Sequence, residues 1–125
     1  MGMRAKDALG RYGEDVAARF LAEQGFEVLA RNWRCAAGEI DLVAREGAVL
    51  VVCEVKTRRD DAYGGPFAAI TVPKLNRLRR LAACWLEQDG LFSKLGPIGE
   101  VRVDVVGVWP GATGAARVEH LRGVL

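Results

Sequence analysis

Charged side chains interrupt two apolar segments of this chain that otherwise have the composition of buried β-strands. The segments run from Glu39 to Arg45 and from Ala48 to Thr57, and both are rich in Val, Leu and Ile. Glu46-Gly47 between them is typical of a two-residue hairpin turn, because Gly readily takes positive φ. The sequence therefore predicts two antiparallel strands that must fold with acids and a lysine among apolar residues.

The register of this hairpin predicts which side chains lie together. Counting away from the turn places Val43 opposite Leu50 and Asp41 opposite Val52, and opposed residues share a face of the sheet. Side chains alternate along a strand, so one face carries Glu39, Asp41, Glu54 and Lys56. The other face carries Ile40, Leu42, Ala44, Val49, Val51, Cys53 and Val55.

The shared face brings three carboxylates together beside one ammonium group, an arrangement that a divalent cation would compensate. Mg²⁺ prefers oxygen ligands and commonly takes one or two protein carboxylates. Asp41 and Glu54 are therefore candidate ligands of Mg²⁺ or Mn²⁺, and Lys56 is placed to orient or deprotonate an attacking water or to stabilise developing charge. The alternative interpretation is a solvated strand end with a Glu54–Lys56 ion pair of little energetic weight.

The same residues resemble a nuclease motif. An acid in one strand followed by acid-x-Lys in the next is similar to the pattern of the PD-(D/E)XK superfamily, and the whole chain is more closely similar to the YraN family of predicted bacterial endonucleases. Two departures, Ile40 before Asp41 and Val52-Cys53 before Glu54, remove no candidate ligand. The matching segments are Gly13-Glu14 with Ala17, Arg31 to Arg34, Gly38 to Val43, Glu54 to Arg58, Lys74, and Arg102 to Val105.

The resemblance implies a restriction-endonuclease-like α/β fold and metal-dependent hydrolysis of phosphodiester bonds in DNA. Asp41, Glu54 and Lys56 carry that chemistry, with Glu39 and Glu14 as supporting acids. By analogy with archaeal junction resolvases, the implied substrate is structured DNA, such as a recombination or repair intermediate, and a homodimer about a twofold axis is a further implication. The alternative is a nucleic-acid-binding or interaction module of the same fold with little or no catalytic activity, because a fold does not fix a function.

Hydrophobic periodicity and turn residues predict a single domain of order α-β-β-β-α-β-β, with a central mixed sheet flanked by helices. At 125 residues, half of them hydrophobic, the chain can bury one core. Outside the hairpin we expect a helix from near Ala5 to a C-cap at Gly25, a strand from Phe26 to Ala30, a turn at Asn32-Trp33-Arg34, a mobile loop from Asp60 to Pro66, a helix from Thr71 to about Gln88, and strands at Gly99 to Val108 and Arg117 to Leu121.

The distribution of charge bears on partners more than its total does. The net charge is only +2, yet Lys74, Arg77 and Arg80 crowd the second helix and Arg58 follows the acidic cluster. These four residues are candidate phosphate contacts, and without a recognisable base-reading motif we expect selectivity for DNA structure rather than sequence. An alternative for the helix is a basic face that is merely solvated.

Cysteine usage and hydropathy suggest a cellular location. Cys35, Cys53 and Cys84 are widely spaced and lack metal-ligand patterns, so we expect free thiols in a reducing cytoplasm, with Cys53 and Cys84 as small core residues. His120 lacks a Cys or acidic neighbour at ligand spacing and is expected to be structural. Apolar runs are too short to span a bilayer, so no membrane partner is expected.

Overall fold

A five-stranded sheet with two helices forms the described part of the chain. The computed structural model describes residues 5–59, 67, 68, 70–88 and 94–124. The elements are α1 (Ala5–Glu23), β1 (Glu27–Cys35), β2 (Gly38–Glu46), β3 (Val49–Thr57), α2 (Val72–Leu86), β4 (Glu100–Trp109) and β5 (Arg117–Leu121). The predicted α/β class and the order α-β-β-β-α-β-β are confirmed.

The sheet is mixed because its strands are arranged in the order β1-β2-β3-β4-β5 with one parallel pair. β3 and β4 run parallel, whereas the other neighbouring strands pair antiparallel. A parallel pair needs a long crossover, and α2 lies in the segment between β3 and β4. The side chain of Thr71 caps α2 by accepting a hydrogen bond from the backbone N–H of Lys74, as the sequence predicted for its start.

Each helix buries its apolar stripe against a different face of the sheet. On the α2 face, five buried helix residues pack against strand residues such as Val52 and Val103, with Trp33 at the margin. On the α1 face, Ala17 and Leu21 pack against Leu42, Val51 and Cys53 of the central strands, among others. The buried α2 stripe consists of Leu75, Leu78, Leu81, Ala82 and Trp85.

The hairpin register differs from the predicted one by two residues. Glu46 pairs with Val49 and Val43 with Val52, so the turn is Gly47-Ala48, with Gly47 at φ 61°. A shift by an even number of residues moves no side chain to the other face. The predicted grouping of the acids is therefore unaffected by the wrong turn assignment. Ile40 is the exception, because it packs with the α2-side core and not with the opposite face.

Three local predictions on other elements need correction or lie outside the described residues. Asn32-Trp33-Arg34 is not a turn but part of β1, where Asn32 takes φ 51° and the flanking residues pair with β2. Cys84 is exposed, whereas Cys53 is buried as expected. The segment 60–66 lies outside the described residues. In the residues that are described, no helix is both long and apolar enough to cross a bilayer.

Gly13 sets the distance between α1 and the end of β3. A Cβ at this position would lie 1.7 Å from Thr57 Oγ1 and 2.9 Å from Thr57 Cβ, closer than atoms can approach. Gly10, one turn earlier in the same helix, has no atom within 4 Å of an added Cβ. The helix therefore rests on the strand at Gly13, next to Glu14.

The two glycines make a matched test of this packing. Gly13→Ala should lower the free energy of unfolding by about 1–3 kcal/mol, because the added methyl group must displace Thr57 or α1. Gly10→Ala should raise it by about 0.5–1 kcal/mol, because Ala is the better helix former and meets open space. Urea denaturation monitored by circular dichroism measures both, and equal effects of the two substitutions would contradict a tight contact at Gly13.

Candidate active site

The candidate site lies where the central strands β2 and β3 separate. Their pairing ends at Leu42 and Cys53, after which β2 continues along β1 and β3 continues along β4. Asp41 lies at this fork, and its Oδ2 accepts a hydrogen bond of 2.9 Å from the backbone N–H of Val55. The carboxylate thus satisfies a strand donor that the ladder leaves free, and it is held beside Glu54.

Asp41 is a carboxyl group in an unfavourable environment for negative charge. Burial raises its pKa from 3.8 to about 7, and the nearby carboxylates of Glu54, Glu14 and Glu39 act in the same direction. The hydrogen bond from Val55 opposes them only in part. No ion pair joins Asp41 to a cation among the described side chains, so the site has an uncompensated demand for positive charge.

Glu54 has a cationic partner on its own strand. Lys56 Nζ lies 3.1 Å from Glu54 Oε1, and both side chains are about one-fifth exposed. This is the ion pair of the alternative interpretation, and it exists in the structure. It compensates Glu54 but leaves Asp41 without a counter-charge, so the pair does not neutralise the acidic cluster.

The α1 helix brings a further acid to the fork. A cavity of about 330 Å³ on that side contains the carboxylates of Asp41 and Glu54 together with Glu14. Glu14 follows the glycine that rests on β3, so the close helix contact places it there. The other residues lining this cavity are Leu9, Gly10, Val55, Lys56, Thr57 and Arg58.

The α2 helix brings basic side chains to the opposite side of the same carboxylates. Lys74 and Arg77, from the first turns of α2, line a cavity of about 290 Å³ together with Glu39, Asp41 and Glu54. α2 packs over Gly38 at this point, where an added Cβ would lie 3.3 Å from Leu81 Cδ1 and 3.7 Å from Arg77 Cδ. Leu78 and Leu81 complete the lining.

The structure therefore brings together most, though not all, of the residues that the sequence singled out. Arg58 lines the α1-side cavity, whereas Arg80 is exposed on α2 and lines neither cavity. Glu39 reaches the α2-side cavity but also pairs with Arg34 at 2.9 Å. The acids lie at the centre and the basic residues on the flanks.

The donor set fits a hard cation bound by few protein ligands. The carboxylates of Asp41 and Glu54 supply oxygen atoms at one fork, and burial of Asp41 favours a positive partner. Within the described segments there is no group of three or more His, Cys, Asp or Glu side chains arranged to hold a metal ion. A site of this kind would leave most coordination positions to water and substrate, as Mg²⁺ commonly does.

A second polar cluster, on β4 and β5, is one that sequence reasoning missed. Asp104 is completely buried, and its carboxylate accepts hydrogen bonds from two nitrogens of Arg102, at 2.9 and 3.0 Å, and from the N–H of Gly123 at 2.9 Å. His120 Nε2 lies 2.8 Å from Asp104 Oδ2. Burial opposes ionisation, but the contacts from His120, Arg102 and Gly123 lower the pKa of Asp104 to about 2. His120 thus has an acidic neighbour in space that it lacks in sequence.

Comparison with known protein families shows the family to which the chain belongs. The family described as "Uncharacterised protein family UPF0102" matches residues 13–108, which include every acid of the candidate site. The chain belongs to the UPF0102 family. UPF0102 proteins of Beutenbergia cavernae and Streptomyces griseus are 58% and 57% identical to it over 122 residues, covering 98% of this chain and 99% of each relative. A UPF0102 protein of Streptomyces coelicolor is 56% identical over 98% of this chain and 92% of its own length.

Among solved structures, a longer chain shows a distant similarity to this one. "The structure of Pyrococcus Furiosus SfsA in complex with Ca2+" matches 94% of this chain with 13% sequence identity and a TM-score of 0.41. This chain spans 64% of the length of that one. A likeness this weak carries no argument about the site, and the UPF0102 description names no activity.

The raised pKa of Asp41 makes a testable prediction for this UPF0102 protein without divalent cations. A carboxyl with a folded-state pKa of about 7 and an ordinary value of 3.8 stabilises the fold at low pH and loses that contribution as pH rises through about 7. Asp41→Asn cannot ionise and can still accept the Val55 hydrogen bond. In EDTA, its stability relative to the parent should therefore rise between pH 4 and 8, by about 4 kcal/mol in total.

Urea titrations at four pH values measure this difference, and Glu46→Gln serves as a control. Although burial opposes ionisation of Glu46, its hydrogen bonds with Arg122 and Arg102 lower its pKa below 4.5, so the effect of Glu46→Gln should be constant from pH 5 to 8. A pH-independent effect of Asp41→Asn would mean that Asp41 titrates in its ordinary range.

Proposed function

We propose that this UPF0102 protein is a metal-dependent endonuclease that hydrolyses phosphodiester bonds in DNA. The observation that carries the proposal is the carboxylate of Asp41, buried at the fork beside Glu54 with no cation of its own, and flanked by basic residues of α2. The resemblance of these residues to the PD-(D/E)XK pattern supports the same reaction class. Structured DNA, such as a recombination or repair intermediate, is the substrate proposed on that resemblance.

Asp41 and Glu54 are the groups that would hold Mg²⁺ or Mn²⁺. When bound there, such a cation would polarise a phosphoryl oxygen and lower the pKa of a water nucleophile. Glu14, from α1, and Glu39, from β2, act as supporting acids, since both raise the pKa of Asp41 and so strengthen the local negative potential. The site suits Mg²⁺ or Mn²⁺ because it offers oxygen donors and carries an excess of negative charge.

Lys56 is the residue proposed to act on the water or on the developing charge. Its ammonium lies on the same face as Glu54, at the edge of the cavity that contains both carboxylates. With a cation held by Asp41 and Glu54, Lys56 would no longer be needed to compensate Glu54. It can then donate a hydrogen bond to the attacking water or to a phosphoryl oxygen.

Lys74 and Arg77 are proposed to hold the phosphate backbone on the α2 side, and Arg58 on the α1 side. All three line cavities that contain Asp41 and Glu54. Contacts of this kind attract any sequence, because they act on phosphate charge rather than on base edges. Arg80 lies outside the cavity, so it would contact the DNA only if the bound stretch extended beyond the cavity.

A second candidate function is a nucleic-acid-binding module of the same fold with little turnover. Two observations favour it: Lys56 is paired with Glu54, and the described residues contain no group of three or more metal-ligand side chains. The two candidates differ in one measurable respect, since only the nuclease forms cleavage products when Mg²⁺ or Mn²⁺ is present.

The nuclease proposal predicts that two substitutions have different effects on cation binding. Asp41→Asn should abolish cleavage and also the rise in melting temperature on adding Mg²⁺ or Mn²⁺. Lys56→Ala removes no metal ligand, so it should reduce cleavage by about a hundredfold while cation-induced stabilisation and DNA affinity stay near those of the parent. Gel assays with duplex, flap, four-way junction, single-stranded DNA and RNA, together with calorimetry, measure these properties.

Asp41→Asn purified in the same way also controls for contaminating nucleases. DNA binding by the parent without product on any of these substrates would favour the binding module. Equal cation binding by Asp41→Asn and the parent would rule out the proposed metal site.

The two arginines on α2 provide a test of the phosphate contacts. Arg77→Glu should weaken binding to all DNA sequences by a similar factor and flatten the slope of log affinity against log salt by about one unit or more. Arg80→Glu, three residues along the same helix but outside the cavity, should have the smaller effect. Fluorescence anisotropy at several salt concentrations measures the slopes, and circular dichroism checks the fold. A larger effect of Arg80→Glu would mean that DNA approaches from another side of α2.

A further inference from the structure

A groove next to the candidate active site contains groups that the proposed reaction does not use. It has a volume of about 440 Å³ and lies between α1 and the end of β4. The groove and the α1-side cavity share Leu9, and the adjacent residues Arg58 and Arg59 line the cavity and the groove respectively. The two spaces are therefore neighbours along one basic edge. The residues lining the groove are Ala8, Leu9, Tyr12, Arg59, Pro110 and Gly111.

Tyr12 is the aromatic side chain of this groove, and it is partly exposed. Its exposed fraction is 40%, and it belongs to the helix that also carries Gly13 and Glu14. An exposed aromatic ring beside a guanidinium and a proline ring is the combination that stacks on nucleobases and neutralises the adjoining phosphate.

Charge decides on which side of Tyr12 a nucleic acid strand would lie. Tyr12 also borders a groove on the far side of α1, but the acids there, Asp15 and Glu23, are balanced by Arg19 and by the pairing of Asp15 with Arg31, which leaves no net positive charge. On the near side, Arg59 is the charged residue among the described residues of the lining, and Arg58 follows in the neighbouring cavity. A polyanion is therefore attracted to the near side.

We propose that this groove binds an unpaired nucleobase of the DNA strand whose backbone crosses the active site. Tyr12 stacks on the base and Arg59 contacts its phosphate; this subsite rests on the proposed function. A base inside an intact duplex is stacked on both sides and cannot offer its face to a side chain. The subsite therefore narrows the substrate class to DNA with an unpaired nucleotide flanking the cleavage site, as in a flap, a fork or a gap.

Binding measurements in a cleavage-deficient Asp41→Asn background test the subsite apart from the chemistry. The probes are a fluorescent single-stranded oligonucleotide, a 5′ flap and a fully paired duplex of the same sequence. Adding Tyr12→Ala should lower affinity for the single strand and the flap by about tenfold. Affinity for the duplex should fall by less than about twofold, because the paired bases do not reach the ring.

Two further variants separate stacking from a general loss of surface. Tyr12→Phe keeps the ring and should restore the affinity for the single strand and the flap. Leu121→Ala removes a side chain of similar exposure, 42%, on β5, away from the groove, and should leave all three affinities unchanged. In a 2-aminopurine probe, stacking on Tyr12 should quench fluorescence in the parent and in Tyr12→Phe but not in Tyr12→Ala.

The outcomes for the subsite and for hydrolysis are distinguishable. Equal affinities of Tyr12→Ala and Leu121→Ala for the flap, an equal loss on flap and duplex, or no measurable DNA binding overturns the subsite. A selective loss with Tyr12→Ala supports it, even if the parent with Asp41 intact forms no product with Mg²⁺ or Mn²⁺. That last result would contradict hydrolysis alone and would leave a DNA-binding module that recognises unpaired bases.

Discussion

The hydrogen bond from the Val55 N–H to Asp41 Oδ2 is the contact on which the candidate site depends. β2 and β3 cannot both pair to their ends and also admit polar groups between them, so the ladder stops at Leu42 and Cys53. A strand donor left without a partner at such a fork would be costly, and the Asp41 side chain supplies the acceptor. The same contact fixes the carboxylate beside Glu54, where burial makes its ionisation unfavourable.

The two helices approach this fork from opposite faces of the sheet, and each supplies a different charge. α1 lies close to β3 because Gly13 has no side chain, and it delivers Glu14; α2 crosses near Gly38 and delivers Lys74 and Arg77. Glu14 and the two basic residues of α2 are therefore positioned by different hydrophobic cores, on opposite faces of the sheet. Substitutions in one core can alter one side of the site while the other side stays in place.

Much of this arrangement could be predicted from the sequence because it depends on period-two alternation. The grouping of Glu39, Asp41, Glu54 and Lys56 survived a wrong turn assignment, since moving the turn from Glu46-Gly47 to Gly47-Ala48 shifts the register by two residues. Helix stripes were equally predictable from the spacing of apolar residues. The position of Ile40 was not predicted: it lies beyond the last β2–β3 pair, opposite Trp33 of β1, and packs on the α2 side.

Features that depend on partners far apart in sequence could not be predicted in this way. Asn32 has the preferences of a turn residue, and only the pairing of β1 with β2 shows that its φ of 51° is a local left-handed irregularity within a strand. Cys84 lies in an apolar run, yet it falls outside the buried stripe of α2. His120 and Asp104 are 16 residues apart, and only the pairing of β4 with β5 brings them together.

The Asp104 cluster has a consequence for the order in which the chain can fold during synthesis. β3 and β4 are complete once Trp109 has left the ribosome, but the buried carboxylate at position 104 still lacks the donors of His120 and Gly123. A buried carboxylate with only part of its partners opposes burial of the strand that carries it. The complete set of donors to Asp104 exists only once residue 123 is available, so we expect the central parallel pair to reach its full stability late in synthesis.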